Sequence, residues 1–215
     1  VVTLTGVGFR LGFVVIQTAG DISNFFSNIW PISFFSFEDL RLFFSLVLIA
    51  ISCIIMGAGI PTTATYIILV AVAAPALAQL GIEPLVAHFF VFYYGVLADI
   101  TPPVALAAYA ASGIAKSNPF KTGNTAFRLG IAKALVPFVF VYSPSILLIT
   151  GEFQTNELIL TLTGTLIGIA LIGIAFSGYW FRPLKKYEQF VIGSGSLFFV
   201  APGIGSMIIG LLIIL

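Results

Sequence analysis

Two breaks in otherwise apolar sequence constrain what this chain can fold into. The first covers residues 57–66 and the second residues 98–103. Exposed irregular backbone is not tolerated in hydrocarbon, because each unpaired N–H or C=O group costs several kcal/mol there. Such breaks persist only where protein or a ligand satisfies them, and paired breaks indicate the ion and substrate site of a secondary transporter. The first break reads Gly57, Ala58, Gly59, Ile60, Pro61, Thr62, Thr63, Ala64, Thr65, Tyr66; the second reads Ala98, Asp99, Ile100, Thr101, Pro102, Pro103.

The composition indicates an integral membrane protein. The chain is 60% hydrophobic and 8% charged, with a mean hydropathy of +1.15, whereas soluble domains are about 25% charged. A net charge of +1 gives no indication of a nucleic-acid partner. The single cysteine, Cys53, lies in an apolar run and excludes both a disulfide framework and a cysteine-based metal site within the chain.

The N-terminal stretch is open to two interpretations. The chain begins Val-Val-Thr without a start methionine, as expected of a piece of a longer polypeptide. Residues 1–20 are apolar apart from Arg10, and predict either a membrane helix or a helix lying at the interface. Residues 21–37 are rich in serine, asparagine and aromatic residues and are broken at Trp30-Pro31, which is typical of an interfacial connector.

The first break predicts the tip of a re-entrant helical hairpin over residues 42–80. Its two apolar arms, 42–56 and 66–80, are each about 22 Å long as helix. The hydrocarbon core is about 30 Å thick, so we expect neither arm to span it alone. Gly57 and Gly59 permit the turn, and Pro61 suits the first position of the returning helix.

The second break predicts a broken transmembrane helix over residues 85–115. Pro102 and Pro103 donate no backbone hydrogen bonds, so carbonyl groups near Ala98 and Asp99 lose their helical partners. The residue before a proline is pushed out of the α region, which unwinds Thr101. Freed carbonyls beside hydroxyls and a carboxylate form a hard oxygen cage suited to a small cation. The half-helix expected from Pro103 directs its positive dipole end toward the break, where it suits an anion.

We therefore expect both breaks to form one site that binds the cation and the substrate, and we expect no catalytic residues. Hard neutral oxygens suit a monovalent cation, and no transition metal is expected. Asp99 has three possible roles: a ligand, a partner of His88 or of another helix, or a side chain facing a water-filled vestibule. The predicted cation-binding residues are Gly57, Gly59, Ile60, Thr62, Thr63, Ala98, Asp99 and Thr101. The predicted substrate-binding residues are Pro61, Thr65, Pro102 and Pro103.

The remaining apolar segments predict three further crossings, over residues 124–149, 158–177 and 190–215. The first is expected to bend at Pro137 and Pro144. The loops 116–128 and 178–189 carry basic residues, whereas the loop 150–157 carries only acidic ones. Basic loops favour the cytoplasm. We therefore expect the basic loops inside, and the loops 150–157 and 81–84 outside.

Several of these stretches resemble the large membrane subunit of TRAP transporters. The resemblance rests on residues 57–66, 73–77, 88–95, 100–106 and 111–115. It covers residues 1–149, which correspond to the C-terminal half of that subunit. Residues 150–215 look like the two-helix C-terminal extension of fused permeases that work with TAXI-type binding proteins. The resemblance implies one half of an inverted-repeat, all-α transporter in the cytoplasmic membrane of a bacterium or archaeon.

That resemblance also implies partners and an activity. The expected activity is cation-coupled uptake of small carboxylates, with sodium favoured over protons and no other cofactor. The expected partners are a periplasmic substrate-binding protein, the lipid bilayer, the N-terminal half of the permease and a small membrane subunit, separate or fused upstream. An incomplete or accessory subunit and a channel are the alternatives. An intramembrane enzyme is disfavoured, because one histidine and one buried acid supply no catalytic constellation.

Overall fold

A computed structural model describes residues 6–29, 36–148, 155–201 and 203–215. The chain divides into two compact units, Val1–Asp99 and Ile100–Leu215. The predicted break at Trp30-Pro31, most of the predicted outer loop 150–157 and the expected boundary between residues 149 and 150 lie outside the described residues.

The part of the first unit that the structure describes is built from four helices. They are α1 (Val7–Ile29), α2 (Phe37–Gly57), α3 (Thr62–Gln79) and α4 (Pro84–Ala98). The prediction of a connector from residue 21 is wrong up to residue 29, because α1 continues there. Its serines stay compatible with helix by bonding to carbonyls one turn earlier, as Ser23 Oγ does to Ala19 O at 2.7 Å. Arg10 is exposed on this helix.

The predicted helical hairpin is present as α2 and α3, joined at residues 58–61. Its first helix begins earlier than expected, because Ser36 and Asp39 form a capping box that starts the helix at Phe37. The expectation that neither arm could span a membrane is wrong: the helices have 21 and 18 residues and are each long and apolar enough to cross. The re-entrant placement of the hairpin stays a prediction.

Close helix contacts hold the first unit together. Helix α1 packs on α2 and α3, and α4 packs on α3 and α2. A Cβ at Gly8 would lie 2.6 Å from Ala71 O, and one at Gly12 would lie 2.8 Å from Ala76 Cβ, so α1 approaches α3 through its glycines. The large side chains buried between the helices include Leu46, Cys53, Leu69, Leu77, Phe90 and Val91.

The described residues of the second unit form six helices, two 3₁₀ turns and a short strand pair. They are α5 (Leu106–Ile114), α6 (Pro119–Gly130), a 3₁₀ turn (Ile131–Leu135), α7 (Val136–Tyr142), a 3₁₀ turn (Pro144–Leu147), α8 (Thr155–Ser177), β1 (Tyr179–Trp180), β2 (Arg182–Pro183), α9 (Lys186–Val200) and α10 (Ile204–Ile214). The two strands are antiparallel.

The crossing predicted from residue 124 starts at Pro119. The Asn118 side chain accepts a hydrogen bond from Lys121 N, and Pro119 occupies the first helical position, so both residues favour an earlier start. Pro137 has no N–H to offer the Lys133 carbonyl, and the chain forms a 3₁₀ turn just before α7. Pro144 opens the second 3₁₀ turn, so both prolines interrupt regular helix.

The prediction of one last span over residues 190–215 is wrong. The chain forms two helices there, and Gly203 between them has a φ of +103°. Helices α9 and α10 pack in antiparallel directions through glycine. A Cβ at Gly195 would lie 3.0 Å from Gly210 O, and one at Gly210 would lie 2.7 Å from Gly195 O.

Four helical segments of the described chain are long and apolar enough to cross a membrane. They are Phe37–Gly57, Thr62–Gln79, Pro119–Tyr142 and Thr155–Ser177, and the shorter apolar helices Pro84–Ala98 and Ile204–Ile214 accompany them. Apart from the strand pair, the regular secondary structure of the described residues is helical. The predicted polytopic helical membrane fold is therefore confirmed.

The substitution Gly210→Leu is expected to lower the stability of the helix pair α9–α10. A side chain there meets the backbone of α9, and overpacking of this kind costs about 1–3 kcal/mol. Gly205→Leu is the matched control, since it adds the same side chain to α10 where nothing lies within 4 Å. Thermal unfolding midpoints in detergent compare the two, and equal midpoints would contradict the close contact.

Candidate functional site

The tip of the helical hairpin is shaped by one glycine and one proline. Gly59 has a φ of +83°, a conformation that glycine adopts without steric cost. Pro61 caps α3, which begins at Thr62 rather than at Pro61 as predicted, because the extended ψ of 141° keeps Pro61 outside the helix. Gly57 is still part of α2, so it does not form the turn itself, contrary to the prediction.

Gly57 lets the hairpin tip pack against the last turns of α4. A Cβ at Gly57 would lie 3.0 Å from both Ala98 Cβ and Thr65 Cγ2. Gly95, one turn before Ala98, would likewise place a Cβ 3.2 Å from Thr65 Cγ2. Two of the predicted cation-binding residues, Gly57 and Ala98, are therefore neighbours although 41 positions separate them in the sequence.

Thr65 is a buried residue that stabilises the backbone of the hairpin tip. Its side chain is 1% exposed, its hydroxyl donates to Ile60 O at 3.0 Å, and its N–H donates to Pro61 O at 2.9 Å. Ile60 N in turn donates to Gly57 O at 3.3 Å. The hydroxyl of Thr65 is thus engaged within the hairpin, and its role in substrate binding stays a prediction.

Other polar groups at the tip have no protein partner in the described part of the chain. The carbonyl oxygens of Ala58 and Gly59 accept no hydrogen bond there, and the N–H groups of Thr62, Thr63 and Ala64 have no acceptor. Thr62 and Thr63 are exposed. Carbonyl oxygens can bind a cation, whereas the amide end of α3 favours an anion through its dipole. The tip therefore offers both kinds of ligand.

The second break ends later than predicted. Helix α5 starts at Leu106 and not at Pro103, because Ala105 before it is left-handed, with a φ of +38°. Ala105 is fully buried, and its N–H donates to Thr101 O at 3.1 Å. The peptide bond between Pro102 and Pro103 is cis.

Tyr109 stabilises this break and was not singled out from the sequence. Its hydroxyl donates to Pro103 O at 2.6 Å, so that carbonyl has a protein partner. The Tyr109 ring packs against α6 at Gly123, where a Cβ would lie 2.9 Å from Tyr109 Cε1. The sequence signal was a tyrosine placed two turns after the proline pair, close enough to reach back to the unwound backbone.

Asp99 and His88 do not pair. His88 Nδ1 lies 2.7 Å from the hydroxyl of Tyr66, a contact that joins α4 to α3. Asp99 is eleven positions further on, about 16 Å along a helix axis. It ends α4, half-buried, with its N–H donating to Val96 O at 3.3 Å. Only the pairing of Asp99 with His88 is thereby removed; its roles as a ligand, as a partner of another helix and as a vestibule side chain stay predictions.

The described residues contain no group of three or more histidine, cysteine, aspartate or glutamate side chains that could hold a metal ion.

Comparison with known families settles the class of protein. The family described as "Tripartite ATP-independent periplasmic transporter, DctM component" matches residues 1–155. The chain belongs to this family. The resemblance to the TRAP large membrane subunit is confirmed, so the chain is a multi-pass membrane component of a transporter and the family is not one of enzymes. Searches of curated proteins and of solved structures gave no match.

The extent of the family match bears on the C-terminal helices. It covers the first unit and the second unit up to Thr155, where α8 begins. All of α8 after its first residue, together with α9 and α10, therefore lies beyond the DctM match. The pairing with TAXI-type binding proteins stays a prediction.

The substitution Thr65→Val is expected to destabilise the protein. It keeps the shape of the side chain but removes the hydrogen bond to Ile60 O inside the hairpin, at a cost of about 1 kcal/mol or more. Thr63→Val, on the exposed side of the same helix turn, is the control and should leave stability unchanged. Thermal unfolding in detergent measures both, and an unaltered midpoint for Thr65→Val would contradict the role given to its hydroxyl.

Proposed function

We propose that this chain is the cation-coupled permease component of a TRAP-type transporter and carries small organic acids. The observation that supports the proposal is the contact between the hairpin tip and the end of α4, at Gly57 and Ala98. That contact gathers unpaired carbonyls, exposed hydroxyls and unpaired amide groups at one place in the first unit.

The cation would be bound by neutral oxygens from both breaks. The carbonyls of residues 57–60 and 98–100 and the hydroxyls of Thr62, Thr63 and Thr101 are the proposed ligands. Thr101 follows Ala98 by three positions, so chain length alone keeps its Cα within about 11 Å of the Ala98 Cα. Sodium is favoured over a proton, because carbonyl and hydroxyl oxygens do not take up protons at physiological pH.

The substrate carboxylate would bind at the amide ends of two helices. The N–H groups of residues 62–64 open α3, and those of residues 106–108 open α5; within the described residues neither set has an acceptor. The two helices begin at Thr62 and Leu106, and not at Pro61 and Pro103 as predicted. Pro61, Pro102 and Pro103 still determine the backbone path that leads into these helix starts. A cation and an anion bound close together would strengthen each other's binding reciprocally.

Complete transport would need further components. The family implies a periplasmic binding protein that delivers the substrate and additional membrane subunits. We propose that the N-terminal half of the permease supplies a second hairpin and a second cation site. The proposed setting is the cytoplasmic membrane of a bacterium or archaeon.

Two valine substitutions test the cation site. Thr63→Val and Thr101→Val each keep the side-chain shape and remove one oxygen ligand. In the complete transporter reconstituted with its binding protein, each should raise the sodium concentration for half-maximal uptake by about tenfold, since one such ligand contributes about 1–1.5 kcal/mol. Expression should not change. Thr125→Val is the control, since that hydroxyl contacts only the carbonyl of Lys121 in α6.

Unchanged uptake and unchanged sodium dependence in both variants would contradict the site. Uptake that does not saturate and does not require the binding protein would instead identify a channel-like protein.

A further inference from the structure

The segment between α8 and α9 is a built structure that the transport proposal does not use. Strands β1 and β2 pair with Phe181 at their tip, and Phe181 is left-handed, with a φ of +54°. Leu184 N donates to Gly178 O at 2.8 Å, and Gln189 Nε2 donates to Leu184 O at 3.1 Å. We refer to residues 178–189 as the basic loop. Its backbone is fixed by these bonds, so its side chains are presented in a defined arrangement.

Large aromatic side chains are exposed on and next to the basic loop. Phe181 at the tip is 89% exposed, and Phe190 just beyond the loop is 77% exposed. Tyr179, Trp180 and Tyr187 are exposed as well. Aromatic residues in water-exposed turns are unfavourable, but they are enriched where a chain crosses from hydrocarbon to headgroups. Helix α8, which ends at Ser177, is long and apolar enough to span a membrane, so the basic loop emerges at that boundary.

The charges of the loop are arranged to leave lysines available. Arg182 makes two hydrogen bonds to the Glu188 carboxylate, at 3.0 and 2.7 Å. The side chain of Arg182 and the backbone N–H of Lys185 hold the pKa of Glu188 at about 2, so Glu188 stays ionised and pairs with Arg182. Lys185 and Lys186 are exposed, and Lys185 Nζ lies 5.8 Å from the centre of the Tyr187 ring.

The surroundings add positive charge and no further acid. Arg128 of α6 donates to Phe176 O at 2.8 Å, which places a guanidinium at the end of α8 beside the loop. The other acid among the described residues of this unit is Glu157, in the first turn of α8 and about 30 Å along that helix. The surface therefore combines two exposed lysines, a nearby arginine and a rim of aromatic rings.

We propose that the basic loop is a binding site for anionic phospholipid headgroups, which anchors the C-terminal helices to one membrane surface. The aromatic rings would enter the headgroup region, and Lys185 and Lys186 would contact the lipid phosphates. The positive charge of the basic loop favours anionic lipids over other partners. Each lysine close to the membrane surface raises the local concentration of anionic headgroups about fivefold. The site lies outside the DctM match and does not depend on the cation site.

Fluorescence of Trp180 in lipid nanodiscs tests the proposal. The chain has two tryptophans, so the protein carries Trp30→Phe to leave Trp180 as the reporter. Phosphatidylcholine nanodiscs contain equal mole fractions of either brominated phosphatidylglycerol or brominated phosphatidylcholine, and bromine quenches an adjacent indole. We expect several-fold stronger quenching by the brominated phosphatidylglycerol.

The lysines are tested by paired variants. Lys185→Gln with Lys186→Gln should abolish most of the preference for phosphatidylglycerol, while the Arg182–Glu188 pair and the unfolding midpoint are retained. Lys116→Gln with Lys121→Gln removes the same charge near the start of α6 and should keep the preference. Equal quenching by the two lipids, or a preference that survives the loss of Lys185 and Lys186, would overturn the proposal. Quenching by neither lipid would show that protein covers the loop, which would overturn it as well.

Discussion

The fold of the first unit depends on the close approach of Gly57 to Ala98 and Thr65. The predicted re-entrant placement would put the turn of the hairpin in hydrocarbon, where unpaired backbone groups are costly. Here the missing side chain of Gly57 lets the end of α4 close over the tip, and Thr65 pairs with the Ile60 carbonyl from inside. The turn is therefore held by methyl contacts at Gly57 and by three hydrogen bonds, and the outer polar groups of the tip are left without a partner in the described residues.

The polar groups left over are the ones that carry the proposed function. Among the described residues, no side chain accepts a hydrogen bond from the N–H groups at the start of α3, so these groups can bind an anion. The N–H groups at the start of α5, from Leu106, are uncapped in the same way. Tyr109 stabilises the backbone of the second break as Thr65 stabilises that of the first, because the Tyr109 hydroxyl donates a hydrogen bond to the Pro103 carbonyl. Each break thus has one residue that secures its backbone and several groups that stay available to ligands.

The sequence was a good guide where breakers interrupt long apolar runs. The hairpin turn at residues 58–61, the second break and the span ending at Ser177 follow from glycine, proline and hydropathy. It failed where a long-range contact decides. The left-handed Ala105 has no residue-type signal, so the start of α5 was placed too early. The division of residues 190–215 into two helices did have a local signal, since Pro202-Gly203 is a helix-breaking pair and Gly203 has a φ of +103°, but the apolar composition of the segment indicated a single span.

The claim that the two breaks form one site is tested most directly by cross-linking. In a Cys53→Ser background, Thr62→Cys is combined with Thr101→Cys, and membranes are treated with a short bifunctional thiol reagent. We expect a cross-link for this pair and none for Gln79→Cys with Thr101→Cys, because Gln79 lies at the far end of α3, about 25 Å from Thr62 along the helix. A cross-link at Gln79 but not at Thr62 would contradict the shared site.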